Sequence, residues 1–511
     1  MRFTNPVIPG FYPDPSVCRV GDDFYLVTST FEYFPGVPIF HSRDLVHWRQ
    51  IGHCLTRDNQ LPLLGQGNSW GISAATIRHH QGCFYVVTTN VGHRGNFIVT
   101  ATDPAGEWSD PILLGDPALD VDPSLFFDDD GKVYLTREQN INGEIGIVQY
   151  EINPDTGEHL SEERPMWSGI TGVYPEAPHL YKINGYYYLL IAEGGIDVNH
   201  CASVARSTTP WGPWEPCPYN PILLHAGYDS PIKIPGHADF VQLQDGSWWA
   251  VFLGIRPVRG TDHYQLGRET FLAPVDWTED GWPVINRTKR IATVMDAPAL
   301  APRPWAPEAG FDDFATDRLA LYWNFRRNPD PASWSLTERP GFLRLHGLAA
   351  TLNEQGAVAF IGRRQRHYHG SASASLEFTP AREGEEAGLA VVMNDHNHYD
   401  LLLTLREGQR GLLFRTCIKG RMDETFTPIP DGSLCLRIEA DPGLYQFYYR
   451  VGAGVLTRLA TAETRWLSVR ETGGFTGVYF GMYATGNGQA CSGPADFDWF
   501  EYTGAEAGGG D

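Results

Sequence analysis

The chain has 511 residues, a formal net charge of −22 and an aromatic content of 13%. Contacts to phosphate need clustered cations, so this charge excludes nucleic acid as a partner. No apolar run approaches the 18 residues of a membrane-spanning helix. The 55 glycines and 37 prolines interrupt the chain too often for long helices and predict an all-β protein.

The N-terminus and the cysteines indicate the cellular compartment. The opening stretch MRFTNPVIPGFYPDPS lacks the apolar core of a signal peptide, which predicts a cytoplasmic protein unless a leader has been lost. The 8 cysteines form no C-x-x-C pair and lie in predicted strands. They are therefore predicted to be reduced packing residues rather than disulfides or a metal site.

Five segments of the chain share one pattern: a short apolar run, a Gly- or Asp-rich turn and an aromatic run, as in a β-hairpin. They begin at Asp14, Ala74, Asp122, Glu176 and His237. Several continue into a second hairpin, so each unit holds four strands. The offsets of 60, 48, 54 and 61 residues match propeller blades, which are about 40 to 50 residues long plus loops. We therefore predict a five-bladed β-propeller over residues 1–300.

Equivalent positions of propeller blades converge on the central axis, so the first residues of the five segments should meet at one mouth of the channel. Asp14, Asp122 and Glu176 would then form a group of carboxylates near His237. Like charges brought together cost free energy and raise one another's pKa, which favours a catalytic role over a structural one. Turn formation by the Asp-Pro pairs is the structural alternative.

Paired carboxylates point to glycoside hydrolysis, because the chain has no nucleophilic serine motif and no phosphate-binding loop. One carboxylic acid protonates the leaving oxygen, and a second carboxylate acts on the other face of the sugar. Glu176 lies between prolines in YPEAPHLY, which limits its solvation and favours a general acid. The alternatives are a non-catalytic sugar-binding propeller and an adaptor propeller without an acidic channel mouth.

Specific motifs carry a resemblance to glycoside hydrolase family 43, above all to its β-xylosidase and α-L-arabinofuranosidase members. They are NPVIPGFYPDPS, DVDPSLFFDDDGKVY, YPEAPHLYKINGYYYLLIAEGG, GHADFVQ and LGRETFLAPVDW. The resemblance implies that Asp14 is the general base and Glu176 the general acid. Asp122 would orient Glu176 and keep its pKa high. Family members invert the anomeric centre, which needs base and acid about 6.5 to 9.5 Å apart.

The resemblance also implies residues that bind the substrate or a metal. Arg268 would face the sugar, unless it forms an ion pair with Glu269 or a neighbour, and Phe31 would form a pocket wall, unless it packs in the core. His237 matches a histidine that binds Ca²⁺, directly or through water, in the propeller channel of many members, although others have no metal there and a core histidine is the alternative. Ser73 stands where many members have tryptophan, and Trp70 nearby could replace that surface. No organic cofactor is expected.

A second domain follows a Pro/Ala-rich break. Residues 301–311 are predicted as a linker and residues 312–505 as a β-sandwich, because apolar and polar residues alternate there without a blade-length repeat. The segment resembles the concanavalin-like sandwich of family 43 β-xylosidases and argues against a single-domain endo-arabinanase. It could be a carbohydrate-binding module, but we favour a role in which one of its loops closes the pocket.

The expected activity is that of an inverting exo-glycosidase that releases terminal xylose from β-1,4-xylo-oligosaccharides, together with α-L-arabinofuranosidase activity. The alternative is an enzyme that acts mainly as an arabinofuranosidase on arabinoxylan side chains. A homo-oligomer is expected, because oligomers are frequent among similar enzymes.

Overall fold

Four four-stranded antiparallel sheets and one five-stranded sheet, that of blade 4, form a five-bladed β-propeller, as the sequence predicts. The computed structural model describes residues 1–116, 119–141 and 144–505. The strands of blades 1 and 2 are Ser16–Val20, Asp23–Val27, Gly36–Ser42, Arg49–Leu55, Gly71–His80, Cys83–Val91, Gly95–Ala101 and Ile112–Leu113. Those of blade 3 are Ser124–Phe127, Val133–Ile141, Glu144–Glu151 and Arg164–Pro165. Those of blades 4 and 5 are Glu176–Ile183, Tyr186–Glu193, Cys201–Ser207, Glu215–Pro216, Leu223–Leu224, Lys233–Gln242, Trp248–Ile255, Glu269–Trp277 and Pro283–Ile285.

The first hairpin of each blade owes its shape to the turn that the repeat contains. In blade 4, Asn184 and Gly185 have φ of 52° and 84°. A two-residue turn with positive φ at both positions matches the twist of the strands on either side, and Asn-Gly is the preferred pair. The apolar and aromatic residues of these strands then pack between neighbouring blades.

The first strand of each blade lies at the axis, where the blades hydrogen-bond to one another. Ser16 Oγ of blade 1 donates to Asp239 Oδ2 of blade 5 at 2.6 Å and accepts from the Ile77 amide of blade 2 at 3.1 Å. The ring needs no shared strand for closure. Instead, the N-terminal strand Arg2–Thr4 pairs with Val294–Asp296, which follows blade 5.

Two large antiparallel sheets form the C-terminal sandwich. One contains Phe311–Asp312, Trp334–Ser335, Leu343–Leu345, His369–Glu377, Leu434–Ala440, Leu444–Val451, Thr457–Glu463 and Ala495–Ala505. The other contains Asn324–Arg326, Ala359–Arg364, Glu386–Asn394, Asn397–Arg406, Gln409–Ile418, Arg421–Pro428, Tyr479–Thr485 and, from the propeller, Tyr33–Phe34.

The strand Tyr33–Phe34 belongs to the propeller part of the chain but pairs with the sandwich. The two domains are therefore joined more closely than their predicted boundaries in the sequence suggest. The strand pairs with Asn324–Arg326 at the edge of the sandwich sheet. One buried cluster also combines Leu61 and Leu63 of the propeller with Phe325 and Phe480 of the sandwich. The sandwich is therefore packed against blades 1 and 2 as part of one core.

Helical structure is limited to single turns. The α-helical turns are Asn286–Lys289 and Val469–Thr472, and the 3₁₀ turns are Pro331–Ser333 and Thr464–Leu467. No helix in the described ranges is long and apolar enough to cross a membrane. All 8 cysteines are unpaired, in agreement with the prediction of reduced thiols.

Candidate active site

A cavity of about 560 Å³ opens at one end of the propeller axis. All the residues that the sequence predicts for the site line it: Asp14, Asp122, Glu176, Phe31, Trp70, His237 and Arg268. Ser73 and His200 line it as well, and the sandwich contributes Gly474 and Phe475. Residues that lie far apart in the chain are thus gathered in one pocket.

The backbone at the cavity floor corrects one detail of the predicted repeat. Asp14, Ala74, Asp122 and His237 have φ of 55°, 38°, 55° and 52°, and in blade 4 the corresponding residue is Ala177, with φ of 52°. Non-glycine residues rarely adopt this left-handed conformation, and it concentrates at functional sites.

The strand ladders of the blades confirm this correction. Ser16 pairs with Val27 and His179 with Leu190, which places Ala177, not Glu176, in register with Asp14. A bulge between Glu176 and His179 shifts the ladder of blade 4. Glu176 therefore lies one residue before the repeated position, although it still faces the cavity.

Asp14 is buried and held by charged and polar donors. Arg268 Nη1 donates to Asp14 Oδ1 at 2.5 Å, and Ser29 Oγ donates to Oδ2 at 2.6 Å. Ser29 Oγ itself accepts from the Ala74 amide at 2.7 Å, so the neighbouring blade fixes its direction. His237 Nδ1 lies 3.9 Å from Asp14 Oδ1. These contacts leave the carboxylate one orientation at the cavity floor.

Glu176 belongs to a group of three carboxyl groups, which we call the acid cluster: Asp122, Glu138 and Glu176. One oxygen from each lies within 4.8 Å of the others. Asp122 Oδ2 accepts the amide N–H of Ala177 at 3.1 Å, which ties blade 3 to blade 4. Asp14 is not a member of this cluster.

The environment of the acid cluster favours protonated carboxyl groups. Burial raises the pKa of Glu176 to about 7; the Arg268 guanidinium acts in the opposite direction, and the charge of Asp14 adds to the increase. Burial and the charges of Glu176 and Glu138 also raise the pKa of Asp122. The side chain of Glu176 is 23% exposed, so a substrate can still reach it. A protonated carboxyl group that contacts the cavity is what a general acid requires.

Arg268 lines the pocket, and its ion pair is with Asp14 and not with Glu269. Glu269 pairs instead with Arg256, whose Nε lies 2.7 Å from Glu269 Oε2. The Arg268 guanidinium carbon lies 5.8 Å from the ring centre of Phe31 and 5.5 Å from that of Phe475. Its buried Nε has no hydrogen-bond partner among the described residues.

Phe475 is the residue with which the sandwich completes the pocket. Its ring centre lies 5.6 Å from that of Phe31, and its amide donates to Ser69 Oγ at 2.8 Å. On the same loop of the propeller, Asn68 Oδ1 accepts from Arg326 Nη2 of the sandwich at 2.8 Å. The sandwich therefore both lines the cavity and fixes the propeller loop at its rim.

Two exposed aromatic residues stand at the rim of the cavity. Trp70 is 45% exposed, and its ring covers Gly92, where a Cβ would collide with it. Tyr174 is 57% exposed and lies against Gly195, whose Cβ would approach its ring to 3.1 Å. Such flat apolar surfaces suit the faces of sugar rings. Ser73 gives the wall beside Trp70 less apolar surface than a tryptophan at the same position would give.

The channel below the cavity does not offer the ligands that a directly bound Ca²⁺ needs. Ca²⁺ takes 6–8 oxygen ligands. Asp239 is the carboxylate two residues beyond His237, and Arg78 binds both its oxygens at 2.8 and 3.2 Å. Tyr181 and Ser16 also donate to Asp239, and Arg78 Nη2 lies 3.0 Å from His179 Nδ1. A guanidinium thus already neutralises the buried charge there, so these residues do not fit a coordinated Ca²⁺.

Two of the site residues that the sequence did not predict are Glu138 and Phe475. Glu138 lies in the strand Val133–Ile141, where the adjacent charged residues Arg137 and Glu138 interrupt a run of otherwise uncharged residues. That interruption is a signal, because charges inside a blade need a partner or a role. No motif near Phe475 in the sequence indicates a contact with the propeller, so its place in the site could not be predicted.

The fold and the site together define a class: a β-propeller glycoside hydrolase that uses carboxyl groups. Comparison with known proteins agrees. Residues 3–283 match glycosyl hydrolases family 43, and residues 311–503 match the beta xylosidase C-terminal Concanavalin A-like domain. The chain belongs to glycosyl hydrolases family 43 and is a glycoside hydrolase.

The similar proteins carry two kinds of names. A non-reducing end alpha-L-arabinofuranosidase of Bacteroides ovatus is 48% identical over 98% of this chain and 94% of its own length. A beta-xylosidase of Bacillus subtilis is 34% identical over 98% of this chain and 99% of its own length. Among solved structures, the GH43B protein of the Bacteroides ovatus xyloglucan locus covers 99% of this chain and 100% of its own, with 48% identity and a TM-score of 0.95.

Proposed function

We propose that the protein is an inverting exo-glycosidase that releases terminal xylose from β-1,4-xylo-oligosaccharides and also hydrolyses α-L-arabinofuranosides. The observation that carries the proposal is the contrast between two carboxyl groups of one pocket. Asp14 is bound by a guanidinium and a hydroxyl, whereas Glu176 lies among carboxyl groups that favour its protonated form. Environments that differ in this way separate the base from the acid.

The proposed reaction assigns a step to each group. Asp14 takes a proton from a water molecule, whose oxygen attacks the anomeric carbon. The bond between that carbon and the glycosidic oxygen breaks, and Glu176 gives its proton to the departing oxygen. Arg268 lines the cavity beside Asp14, which suits a hydrogen bond from its guanidinium group to a sugar hydroxyl. Inversion follows because the water and the leaving group occupy opposite faces of the sugar.

The wall that Phe475 builds supports an exo mode of action. A propeller alone could offer an open cleft across its face. Here Gly474 and Phe475 of the sandwich stand at one side of the cavity, and the Ser69 hydroxyl holds their loop in place. A pocket that is closed on one side accepts a chain end, so one sugar is removed in each reaction.

A predominantly arabinofuranosidase activity is the second candidate. Ser73 replaces the tryptophan that many family members have, which changes the wall beside the sugar. The Bacteroides ovatus relative is also named an arabinofuranosidase. Kinetics with the 4-nitrophenyl β-xyloside and α-L-arabinofuranoside decide between the two, since the larger kcat/KM identifies the main activity.

Product analysis tests the exo mode and the enzymatic assignment together. Xylotriose and xylotetraose should lose one xylose at a time. The release of xylobiose as an early product would contradict the exo mode. Binding of these sugars without hydrolysis would instead support the non-catalytic sugar-binding propeller.

Replacement of the acid tests its role. Glu176→Ala should lower kcat/KM on xylobiose by about 10²–10⁴-fold, the usual contribution of a general acid. A dinitrophenyl xyloside needs little protonation of its leaving group and should lose much less. Equal losses on the two substrates would contradict the assignment. Glu215→Ala is the matched control, because Glu215 is an exposed glutamate of the same blade.

Cytoplasmic location and a homo-oligomeric state stay predictions of the sequence. Cell fractionation tests the first, and light scattering of the purified protein tests the second.

A further inference from the structure

Glu138 lies behind Asp122 and Glu176, the two carboxyl groups on its side of the cavity. Its amide donates to the carbonyl oxygen of Val121 at 3.0 Å, which fixes the strand Val133–Ile141 to the loop that carries Asp122. The residue is 7% exposed and does not line the cavity. Its carboxyl group meets Asp122 and Glu176 within 4.8 Å. Glu138 therefore touches the acid without touching a substrate.

No cation compensates Glu138 among the residues that the structure describes. Its side chain takes part in no hydrogen bond or ion pair there. The adjacent Arg137 points to the other face of the strand, where it binds Asp120 and Glu163 at 2.5 Å each. Asp120 is thus already paired, and it adds a further negative charge near Glu138.

The groups that face the cluster from blades 4 and 5 do not supply a free cation either. His200 Nδ1 donates to the carbonyl oxygen of Ile234 at 2.9 Å, and burial lowers the pKa of His200 to about 4, so a neutral ring faces Glu176 at 4.0 Å. The guanidinium of Arg268 is bound to Asp14.

Three carboxyl groups at this separation cannot all be ionised, because like charges in a buried site exclude one another. Their protons therefore belong to the cluster as a whole. Burial and the neighbouring charges raise the pKa of Asp122, and the Ala177 amide acts in the opposite direction. Glu138 shares this environment, because burial together with the charges of Glu176 and Asp120 raises the pKa of Glu138 to about 8.

We propose that Glu138 is a positioning residue of the catalytic acid: it shares the protons of the acid cluster with Glu176, so that Glu176 can still deliver a proton at a pH where it would otherwise be ionised. The inference rests on the proposed role of Glu176 as general acid.

The consequence is a broadened loss of activity at high pH. When the acid cluster loses a proton, some molecules lose it from Glu138 and keep a protonated, active Glu176. The charge on Glu138 then holds the proton of Glu176 more firmly. Without the ionisable group of Glu138, a larger share of the molecules loses that proton from Glu176.

The test is Glu138→Gln, which keeps the size of the side chain and removes its ionisation. The pH dependence of kcat/KM is measured with 4-nitrophenyl β-xyloside and with 4-nitrophenyl α-L-arabinofuranoside. Thermal unfolding verifies that the variant is folded. We expect the alkaline limb of Glu138→Gln to move to lower pH by about half a unit to one unit, with activity near pH 5 changed much less. Glu138→Asp retains a titratable group and should keep the wild-type limb.

Two results separate the inference from the proposed function. If Glu138→Gln loses the same factor at every pH, or if its alkaline limb coincides with that of the wild type, proton sharing is wrong. Glu176→Gln, assayed with the same substrates, should show no alkaline limb. If that limb persists in Glu176→Gln, the acid itself is wrongly assigned, whatever Glu138→Gln shows.

Discussion

Replacement of Phe475 by alanine measures what the sandwich contributes to catalysis. The ring lies 5.6 Å from Phe31 and 5.5 Å from the Arg268 guanidinium, and it is 43% exposed, so its removal should leave the fold intact. The amide that binds Ser69 is kept in the variant. The experiment therefore isolates the ring from the loop that carries it.

The two ring contacts hold Phe31 and Arg268, which line the cavity, in position, and their energies set the scale of the effect. An aromatic pair contributes about 0.5–1.5 kcal/mol, and a cation–π contact about 0.5–2 kcal/mol. If the ring completes the pocket, Phe475→Ala should lose about 1–3 kcal/mol of transition-state stabilisation, which is roughly a 5- to 150-fold fall in kcat/KM. The assay is hydrolysis of xylobiose and of the two nitrophenyl pentosides.

The control position is Phe311, which lies in the same domain but outside the cavity. Phe311 is an exposed phenylalanine of the same domain that does not line the cavity, so Phe311→Ala should retain wild-type kinetics. A change of less than about twofold in Phe475→Ala, or an equal fall in Phe311→Ala, would refute the idea that the sandwich forms part of the active site.

Four further predictions concern Asp14, Glu176 and Arg78. Asp14→Asn should lower kcat by about 10²–10⁴-fold on every substrate, including dinitrophenyl xyloside, because water must be activated whatever the leaving group; activity retained on the dinitrophenyl substrate would contradict this role. Because the pKa of Glu176 is raised to about 7, its acid form is lost as pH rises through that value, so kcat/KM for xylobiose should fall above about pH 7, and a profile flat to pH 9 would be inconsistent. Chelation by EDTA should leave activity unchanged, because Arg78 already neutralises Asp239. Dependence of the activity on added Ca²⁺ would contradict this prediction. Arg78→Met should lower the free energy of unfolding in urea by about 3–5 kcal/mol, and the double variant with Asp239→Asn should recover most of that loss.

The fold could be predicted because its signals are local and repeated. Each hairpin carries its own turn and its own aromatic strand, so five copies confirm one another. The pairing of Tyr33–Phe34 with a sandwich strand could not be predicted, because two residues carry no periodicity and their partner lies nearly 300 residues further along the chain.

The candidate site was predicted less evenly. Asp14 and Asp122 occupy the repeated position and were placed by symmetry, whereas a bulge moves Glu176 one residue from that position. Glu138 lies on the second strand of blade 3, and only the folded blades show that its carboxyl group lies beside that of Glu176. Arg78, which decides against a fitted Ca²⁺, becomes visible only when the channel is assembled from four blades.

The configuration of the first product tests the central claim most directly. The claim is that Asp14 activates a water on the face of the sugar opposite to the oxygen that Glu176 protonates. Proton NMR of the wild-type enzyme acting on a β-xyloside should show α-xylose first, with β-xylose appearing only through mutarotation. If β-xylose appears first, the enzyme retains configuration, and the assignment of Asp14 as a base that activates water is wrong.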